Sequence, residues 1–384
     1  MRVGVIGLGY RMGYLARVFN EMVPGFSVAG YVDPAPAGLD YAGQYGIDMG
    51  EQIASPEALV SRNDIDLVMV GSPNHLHLEH IRTALEAGKK VFSEKPVVTT
   101  TAETLELARL IAAYPADQVM VGLVLRYAPL YAALRKAQAE GHLGGIVSIE
   151  ASEHIPPAHG GFFQRDWRRY EKYAGGFMLE KCCHDLDLYN SVMGCRPVQV
   201  ASFGGRKSFI PENAPQAEGI NDLRIYHEKP SGWMASDKVF DGDGDIIDFQ
   251  VAIVRYESGA ALTFHTNMNA PDDFRRFAVF GARGQAEGDF IRNFFRLTDA
   301  RTGTQLAETS FATTELSQHY GADEQMAQDI AAHLREGAQL PVSVIDALEA
   351  GLLAMAMDEA RRTGSVVDMR GIWAEFDAAL GRVA

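Results

Sequence analysis

Residues 3–13 read Val3-Gly4-Val5-Ile6-Gly7-Leu8-Gly9-Tyr10-Arg11-Met12-Gly13. A short apolar run meets glycines and then a helical pattern, which is a strand turning into a helix. Glycines at such a turn permit a tight backbone and let the main chain approach a pyrophosphate, which the helix N-terminus stabilises. The spacing is Gly-x-Gly-x-x-x-Gly, so Met12 occupies the third-glycine slot of the usual fingerprint. Asp33 follows Gly13 by twenty residues and ends the next apolar run, Val28 to Val32. A carboxylate there accepts hydrogen bonds from a ribose diol and repels a 2′-phosphate. No Lys or Arg follows Asp33 before Arg62. The expected cofactor is therefore NAD, with NADP disfavoured.

Further apolar runs at Leu67 to Val70, Val91 to Phe92 and Val119 to Val121 alternate with helical patterns near Gly13 to Glu21, Pro56 to Val60, Leu76 to Ala87 and Ala102 to Ala112. Five strands alternating with helices predict an α/β half, a doubly wound (Rossmann) parallel sheet. After Gly122 strand-like alternations follow one another at Ile146 to Glu153, Val198 to Gly204, Ile247 to Tyr256, Ala260 to Asn267 and Phe277 to Phe280. Tyr256-Glu257-Ser258-Gly259 reads as a hairpin turn. One strong helix, Phe177 to Met193, interrupts them, and helical patterns close the chain at Asp323 to Glu336 and Ser343 to Thr363. This half is expected to be α+β, built on a large, mainly antiparallel sheet. The stretch 206–245, rich in Gly, Pro, Asp and Asn, reads as an irregular excursion.

At 384 residues the chain exceeds what one core organises; the expected domains are 1–123, binding the cofactor, and 124–384, binding substrate and making oligomer contacts. Lys plus Arg number 35 against 50 Asp plus Glu, a net charge of −15. That balance argues against nucleic-acid or anionic-lipid partners. Cys182, Cys183 and Cys195 are the only cysteines, too few for a disulfide framework or a four-thiolate metal site, and no metal is expected. Residues 1–7 already read as a strand, leaving no room for a signal peptide, and no apolar run reaches the ~20 residues that span a bilayer. A cytoplasmic location is expected.

Two loops lie at carboxyl ends of parallel strands, where such sheets bind ligands. They are Gly71-Ser72-Pro73-Asn74-His75-Leu76-His77 and Ser93-Glu94-Lys95-Pro96. Lys95 there is placed to donate hydrogen bonds to a reacting oxygen, or to make a surface ion pair. In the helix 177–193, Leu179, Cys183, Leu186, Asn190 and Met193 recur at core spacing, while Glu180, His184, Asp187 and Ser191 form a second stripe. That stripe either faces water or carries chemistry: histidine suits proton transfer near neutral pH, and a carboxylate one turn away can orient it.

Together, Gly7-x-Gly9, Asp33, Pro73-Asn74-x-x-His77, Gly88-Lys89-Lys90-Val91 leading to Glu94-Lys95-Pro96, and Gly175-Gly176 before Glu180-x-x-x-His184-x-x-Asp187 resemble the glucose–fructose oxidoreductase/inositol dehydrogenase/rhizopine catabolism (Gfo/Idh/MocA) family. The resemblance covers about the whole chain, including Gly141 to Ile146 at the start of the second sheet. It implies Lys95 and His184 as catalytic residues. Lys95 would contact the reacting hydroxyl and the nicotinamide end of the cofactor, and His184 would take the hydroxyl proton. Glu180 stands where many members have aspartate, one methylene longer, in an orienting role; Asp187 reads as a structural partner. Cofactor contacts are expected from Gly7, Gly9, Arg11, Met12, Asp33, Ser72, Asn74, His77, Glu94 and Lys95. Candidate substrate contacts are Arg126, Tyr127, Arg165, Trp167 and His319, with His154, Arg168, His265 and Asn267 behind them. The implied reaction is hydride transfer between a sugar or cyclic polyol and NAD. A redox-neutral glycosidase or lyase, and a non-catalytic NAD(H)-binding regulator, are the alternatives. A homodimer or homotetramer through the second sheet is expected.

Overall fold

The computed structural model describes residues 1–115, 117–215, 223–312 and 318–382; residues 216–222 of the expected excursion lie outside these. The chain divides into two compact units. The first comprises Met1–Ala128, Thr313–Leu352 and Ile372–Ala384, and the second Pro129–Ala312 and Leu353–Gly371.

The first unit is built on six parallel strands in the order β3-β2-β1-β4-β5-β6. They are β1 (Arg2–Ile6), β2 (Ser27–Val32), β3 (Glu51–Gln52), β4 (Leu67–Val70), β5 (Lys90–Ser93) and β6 (Val119–Val121). Their apolar side chains are buried because helices cover both faces. Those helices are α1 (Tyr10–Met22), α2 (Gly38–Gln44), α3 (Pro56–Val60), α4 (His77–Glu86) and α5 (Thr101–Ile111). The doubly wound sheet is as expected. Strand β3 and helix α2 are additions: β3 has two exposed residues and no apolar run, and α2 begins at a glycine.

The second unit carries nine strands in the order β14-β13-β12-β11-β7-β10-β9-β8-β15, with β7 and β10 parallel and the other pairs antiparallel. They are β7 (Ile146–His154), β8 (Pro197–Gly205), β9 (Phe249–Tyr256), β10 (Ala261–Asn267), β11 (Phe274–Gly281), β12 (Gly284–Asp289), β13 (Phe294–Asp299), β14 (Gln305–Thr309) and β15 (Val367–Asp368). The last four were not expected. Strand β12 reads Gly-Gln-Ala-Glu-Gly-Asp and β14 is largely exposed, so neither shows apolar alternation. The helices are α6 (Pro129–Ala139), α7 (Pro157–Arg165), α8 (Glu171–Ala174), α9 (Phe177–Met193) and α10 (Leu223–Tyr226). Three more follow: α11 (Ala322–Glu336), which packs on α1 within the first unit, α12 (Val344–Thr363) and α13 (Arg370–Ala379).

Helix α9 lies on the inner face of the nine-stranded sheet. Gly176 at its start has φ 90°, and a Cβ there would come within 2.9 Å of Asp358 Oδ2, so this entry turn requires glycine. The stripe at Glu180, His184 and Asp187 is buried, not solvated: these residues are 4%, 5% and 1% exposed. Charges hold the helix. Arg275 of β11 donates from Nε and Nη2 to both oxygens of Asp185 at 2.8 and 2.6 Å. Its Nη2 also lies 3.0 Å from Glu153 of β7, which Lys181 approaches at 2.9 Å. Burial drives the Asp185 carboxyl up. Burial would do the same to Glu153, but Arg275 and Lys181 outweigh it and hold that carboxyl below the usual range. Removing one partner of a buried ion pair strands the rest and costs about 3–5 kcal/mol. Arg275→Met should therefore lower the urea midpoint of the second unit by an amount equivalent to about 3 kcal/mol or more; a loss below about 1 kcal/mol would contradict this account.

Candidate active site

In the first unit the glycine turn joins β1 to α1. Gly7 has φ 85°, and a Cβ on it would sit 2.2 Å from the Ser72 backbone nitrogen, so nothing larger fits. Gly9 faces open space, and as N-cap of α1 it offers no side chain to the first-turn N–H groups. An uncapped helix start beside an open backbone suits a pyrophosphate. Asp33 accepts from Leu8 N at 2.6 Å and Ala35 N at 2.7 Å, one on each oxygen, which aims the carboxylate at the turn and leaves lone pairs for a ribose diol. Met12 is buried, and the space it takes is conceded by Gly71, whose absent Cβ would lie 2.3 Å from Met12 Cγ.

The loop after β4 is tied to the loop after β5. His77 is buried, with Nδ1 2.8 Å from the Pro96 carbonyl and Nε2 2.8 Å from the Ser72 carbonyl, so it braces the two loops from beneath. Ser72 Oγ lies 2.8 Å from His80 Nδ1, and Asn74 is buried in the turn at Asn74–Leu76. Glu94 is buried; Oε1 accepts from Arg11 Nε at 2.8 Å, and Oε2 accepts from the Lys95 backbone N–H at 3.1 Å. The Lys95–Pro96 bond is cis, and the Lys95 side chain is half-buried.

Arg11, expected to touch the cofactor, directs its guanidinium at protein carboxylates. Nη2 donates to Asp323 Oδ1 at 2.8 Å, and Asp323 Oδ2 also meets Tyr14 Oη at 3.1 Å and His319 Nδ1 at 2.8 Å. Burial disfavours the charged form of Asp323, but Arg11 and His319 more than offset it and hold the carboxyl well below its ordinary range. Arg126 is a strut: Nη1 donates to the Pro341 carbonyl at 3.2 Å and Nη2 lies 3.7 Å from Asp346. Tyr127 is buried beside it in the turn Val124–Tyr127.

In the second unit the turn at Trp167–Arg169 faces α9. Arg168 Nε donates to Glu180 Oε1 at 2.8 Å and Nη1 to Asp166 Oδ1 at 2.9 Å, with the guanidinium 4.2 Å from the Trp167 ring centroid. Sequence reasoning missed this clamp; its only trace is the Asp166-x-Arg168 spacing. Arg165 donates to the Tyr226 and Lys229 carbonyls at 3.0 and 2.6 Å, so it braces the excursion. Strand parity places three further candidates elsewhere. Thr266, Glu153 and Arg275 are in register and point toward α9, so their neighbours Asn267, His154 and Phe274, with His265, point to the opposite, open face. There Asn267 Nδ2 lies 3.0 Å from His154 Nδ1 and 3.2 Å from His265 Nε2.

His80 gives this region a pH signature. Burial, then the neighbouring His77, lowers it to about 4 from an ordinary 6.5. The unfolded chain then binds more protons between those values, so His80 makes stability fall as pH drops from about 6.5 to 4, by up to about 3 kcal/mol. His80→Gln should flatten the melting-temperature profile across that window; an unchanged slope would exclude the assignment.

The oxidoreductase-family model for an NAD-binding Rossmann fold, GFO_IDH_MocA, matches residues 1–123, and the family's C-terminal alpha/beta domain model matches residues 135–369. A Bacillus subtilis (strain 168) protein named "Putative oxidoreductase YteT" is 25% identical over 258 residues, covering 58% of this chain and 60% of that protein. An inositol 2-dehydrogenase of Paracoccus denitrificans (strain Pd 1222) is 31% identical over 227 residues, covering 59% of this chain and 62% of the relative. The chain thus spans about three fifths of the length of these curated relatives. The crystal structure of scyllo-inositol dehydrogenase from Lactobacillus casei, with bound NAD(H) and scyllo-inositol, superposes with a TM-score of 0.72 at 19% identity, covering 96% of this chain and 98% of that one. No helix among the described residues is long and apolar enough to cross a membrane. With both of its domain models matched across most of the sequence, the chain belongs to the Gfo/Idh/MocA oxidoreductase family.

Proposed function

We propose that this protein is an NAD-dependent dehydrogenase that oxidises a carbinol of a sugar or cyclic polyol. The observation that carries the reading is the buried stripe of α9: an imidazole, His184, one turn from the carboxylate Glu180, both removed from water inside the family's C-terminal domain. Ionisable groups are seldom fully buried unless paired or functional. Glu180 is paired with Arg168, so it orients and polarises its surroundings as half of an ion pair. Bound NAD supplies the hydride acceptor, held by the α1 N-terminus and Asp33. The chain's own residues handle the oxygen and its proton. His184 accepts the hydroxyl proton, and the Lys95 ammonium donates a hydrogen bond to the oxygen as negative charge builds on it. Asp33 disfavours a 2′-phosphate, and inositol dehydrogenase relatives point to the substrate class.

A panel of inositols, sugars and sugar acids, read by NADH formation, tests this. At least one polyol should turn over, and Lys95→Ala and His184→Ala should each reduce kcat/KM by ~10²–10⁴-fold. Tighter binding of NADP than NAD would overturn the role of Asp33. Turnover within tenfold of wild type in both variants would overturn the catalytic assignment. Cleavage of a glycoside without added NAD would favour a redox-neutral reaction.

The open face of the second sheet supports self-association. Phe203 on β8 and Ile253 on β9 point outward and are 69% and 60% exposed, a costly arrangement for a surface in water. We read this face as the contact of a homodimer or homotetramer. Sedimentation should show an oligomer that the double substitution Phe203→Asp, Ile253→Asp dissociates; a monomeric wild type would exclude it.

A further inference from the structure

The Arg11 side chain is held by two protein carboxylates. Nε and Nη2 each meet a buried carboxylate at 2.8 Å: Glu94, next to Lys95, and Asp323, in the first turn of α11. Glu94 in turn accepts the backbone N–H of Lys95 through its other oxygen. Asp323 is itself fixed by Tyr14 and His319. The result is a continuous chain of hydrogen bonds, His319–Asp323–Arg11–Glu94–Lys95, lying within one compact unit and linking the C-terminal segment to the backbone that presents the lysine.

We propose that Arg11 is a positioning residue for Lys95. It fixes the Glu94 carboxylate, which fixes the Lys95 backbone, and Asp323 with His319 fixes Arg11. This rests on the reading of Lys95 given above. Two features make the chain selective. A guanidinium is planar and permanently charged, so it joins two carboxylates at defined angles, where an ammonium would meet them only as a point charge. Glu94 also lies close against the backbone just after β6, in room that Gly122 provides: a Cβ there would lie 3.1 Å from its carboxyl. Arg11 Nη1, buried and without a hydrogen-bond partner among the described residues, is the one guanidinium nitrogen left over. If it reached the cofactor, the affinity for NADH would depend on Arg11.

The test uses the full chain and three variants, Arg11→Gln, Asp323→Asn and Arg11→Lys. The NADH dissociation constant is measured by fluorescence titration without any polyol. The reactivity of Lys95 toward acetic anhydride is measured by peptide mass spectrometry, with Lys90, ion-paired to Asp117, as internal reference. In Arg11→Gln and in Asp323→Asn, NADH affinity should stay within fivefold, and Lys95 reactivity relative to Lys90 should change at least threefold. Arg11→Lys should recover part of the difference. With a substrate from the panel, kcat should fall at least tenfold while KM stays within threefold. NADH binding weakened more than fivefold would make Arg11 a cofactor ligand and overturn the proposal, as would unchanged Lys95 reactivity. Neither readout needs a substrate, so a panel without turnover would defeat the proposed reaction and leave this test intact. Asp323→Asn preserves the side-chain shape and keeps the proposal falsifiable should Arg11→Gln fold poorly.

Discussion

The second unit depends on one buried constraint, the contact of Arg275 with Asp185 and Glu153, completed by Lys181. Lys181 and Asp185 are four residues apart and so share one face of α9, the face against the sheet. Each residue of a helix turns by about 100°, so Glu180 and His184, one position earlier in each case, are rotated together onto the adjacent flank. The ionic contact therefore fixes the roll of α9, and with it the direction in which the carboxylate and imidazole point. An apolar interface would stabilise the helix as well or better, because burying charges is expensive. What Leu-against-Val packing would lack is directionality, since a helix can roll or slide over it by a fraction of a turn at small cost. Here a roll would separate a bidentate guanidinium from its carboxylate.

The same logic of fixed carboxylates recurs in the first unit, where Asp33, Glu94 and Asp323 are all held by N–H donors from more than one segment. In each case a loop or helix start is pinned at a charged group. Backbone and side-chain donors satisfy buried oxygens that could not otherwise be kept from water. Pinning of this kind gives loops the rigidity of the strands they follow, which a site that must place a reacting atom to within a fraction of an ångström requires.

How much of this could be read from residues alone follows from what each signal measures. Apolar runs such as Leu67–Val70 report burial on both faces and gave the parallel sheet, whereas β3 is two exposed residues and leaves no such mark. Strand β12 is carried by its neighbours' hydrogen bonds, not by its own side chains, and was invisible for that reason. Helical spacing put Glu180 and His184 on one stripe, because fixed intervals on one element survive folding, while Glu94 and Lys95 were marked by their place at the carboxyl end of a parallel strand. Direction was not legible. His154 and Asn267 were grouped with the site on chemistry, but period-2 alternation says only that neighbours diverge, not which one faces the helix. The carbonyl partners of Arg126 and Arg165 were not legible either: a guanidinium is as well matched to backbone carbonyls as to a ligand, and nothing in the sequence shows which carbonyls lie near.

The glycine turn shows that a departure from a fingerprint can be a relocation and not a loss. The third glycine of the usual motif serves close packing of helix on strand, and here Met12 fills that slot with one of the longer apolar side chains. The room is found across the contact: Gly71, at the carboxyl end of β4, has no Cβ where Met12 Cγ lies. Gly13, one position later, makes a second close approach, to the Gly38 carbonyl, and Gly38 in turn would crowd the Gly9 carbonyl if it carried a side chain. Five glycines (Gly7, Gly9, Gly13, Gly38 and Gly71) and one flexible thioether thus achieve together what three glycines achieve in the usual arrangement. Methionine suits the exchange because its unbranched chain adapts to an irregular gap. The arrangement couples residues 7–13, 38 and 71 into one sterically closed unit, so the turn that would face a pyrophosphate is set by contacts from three separate segments and not by its own sequence alone.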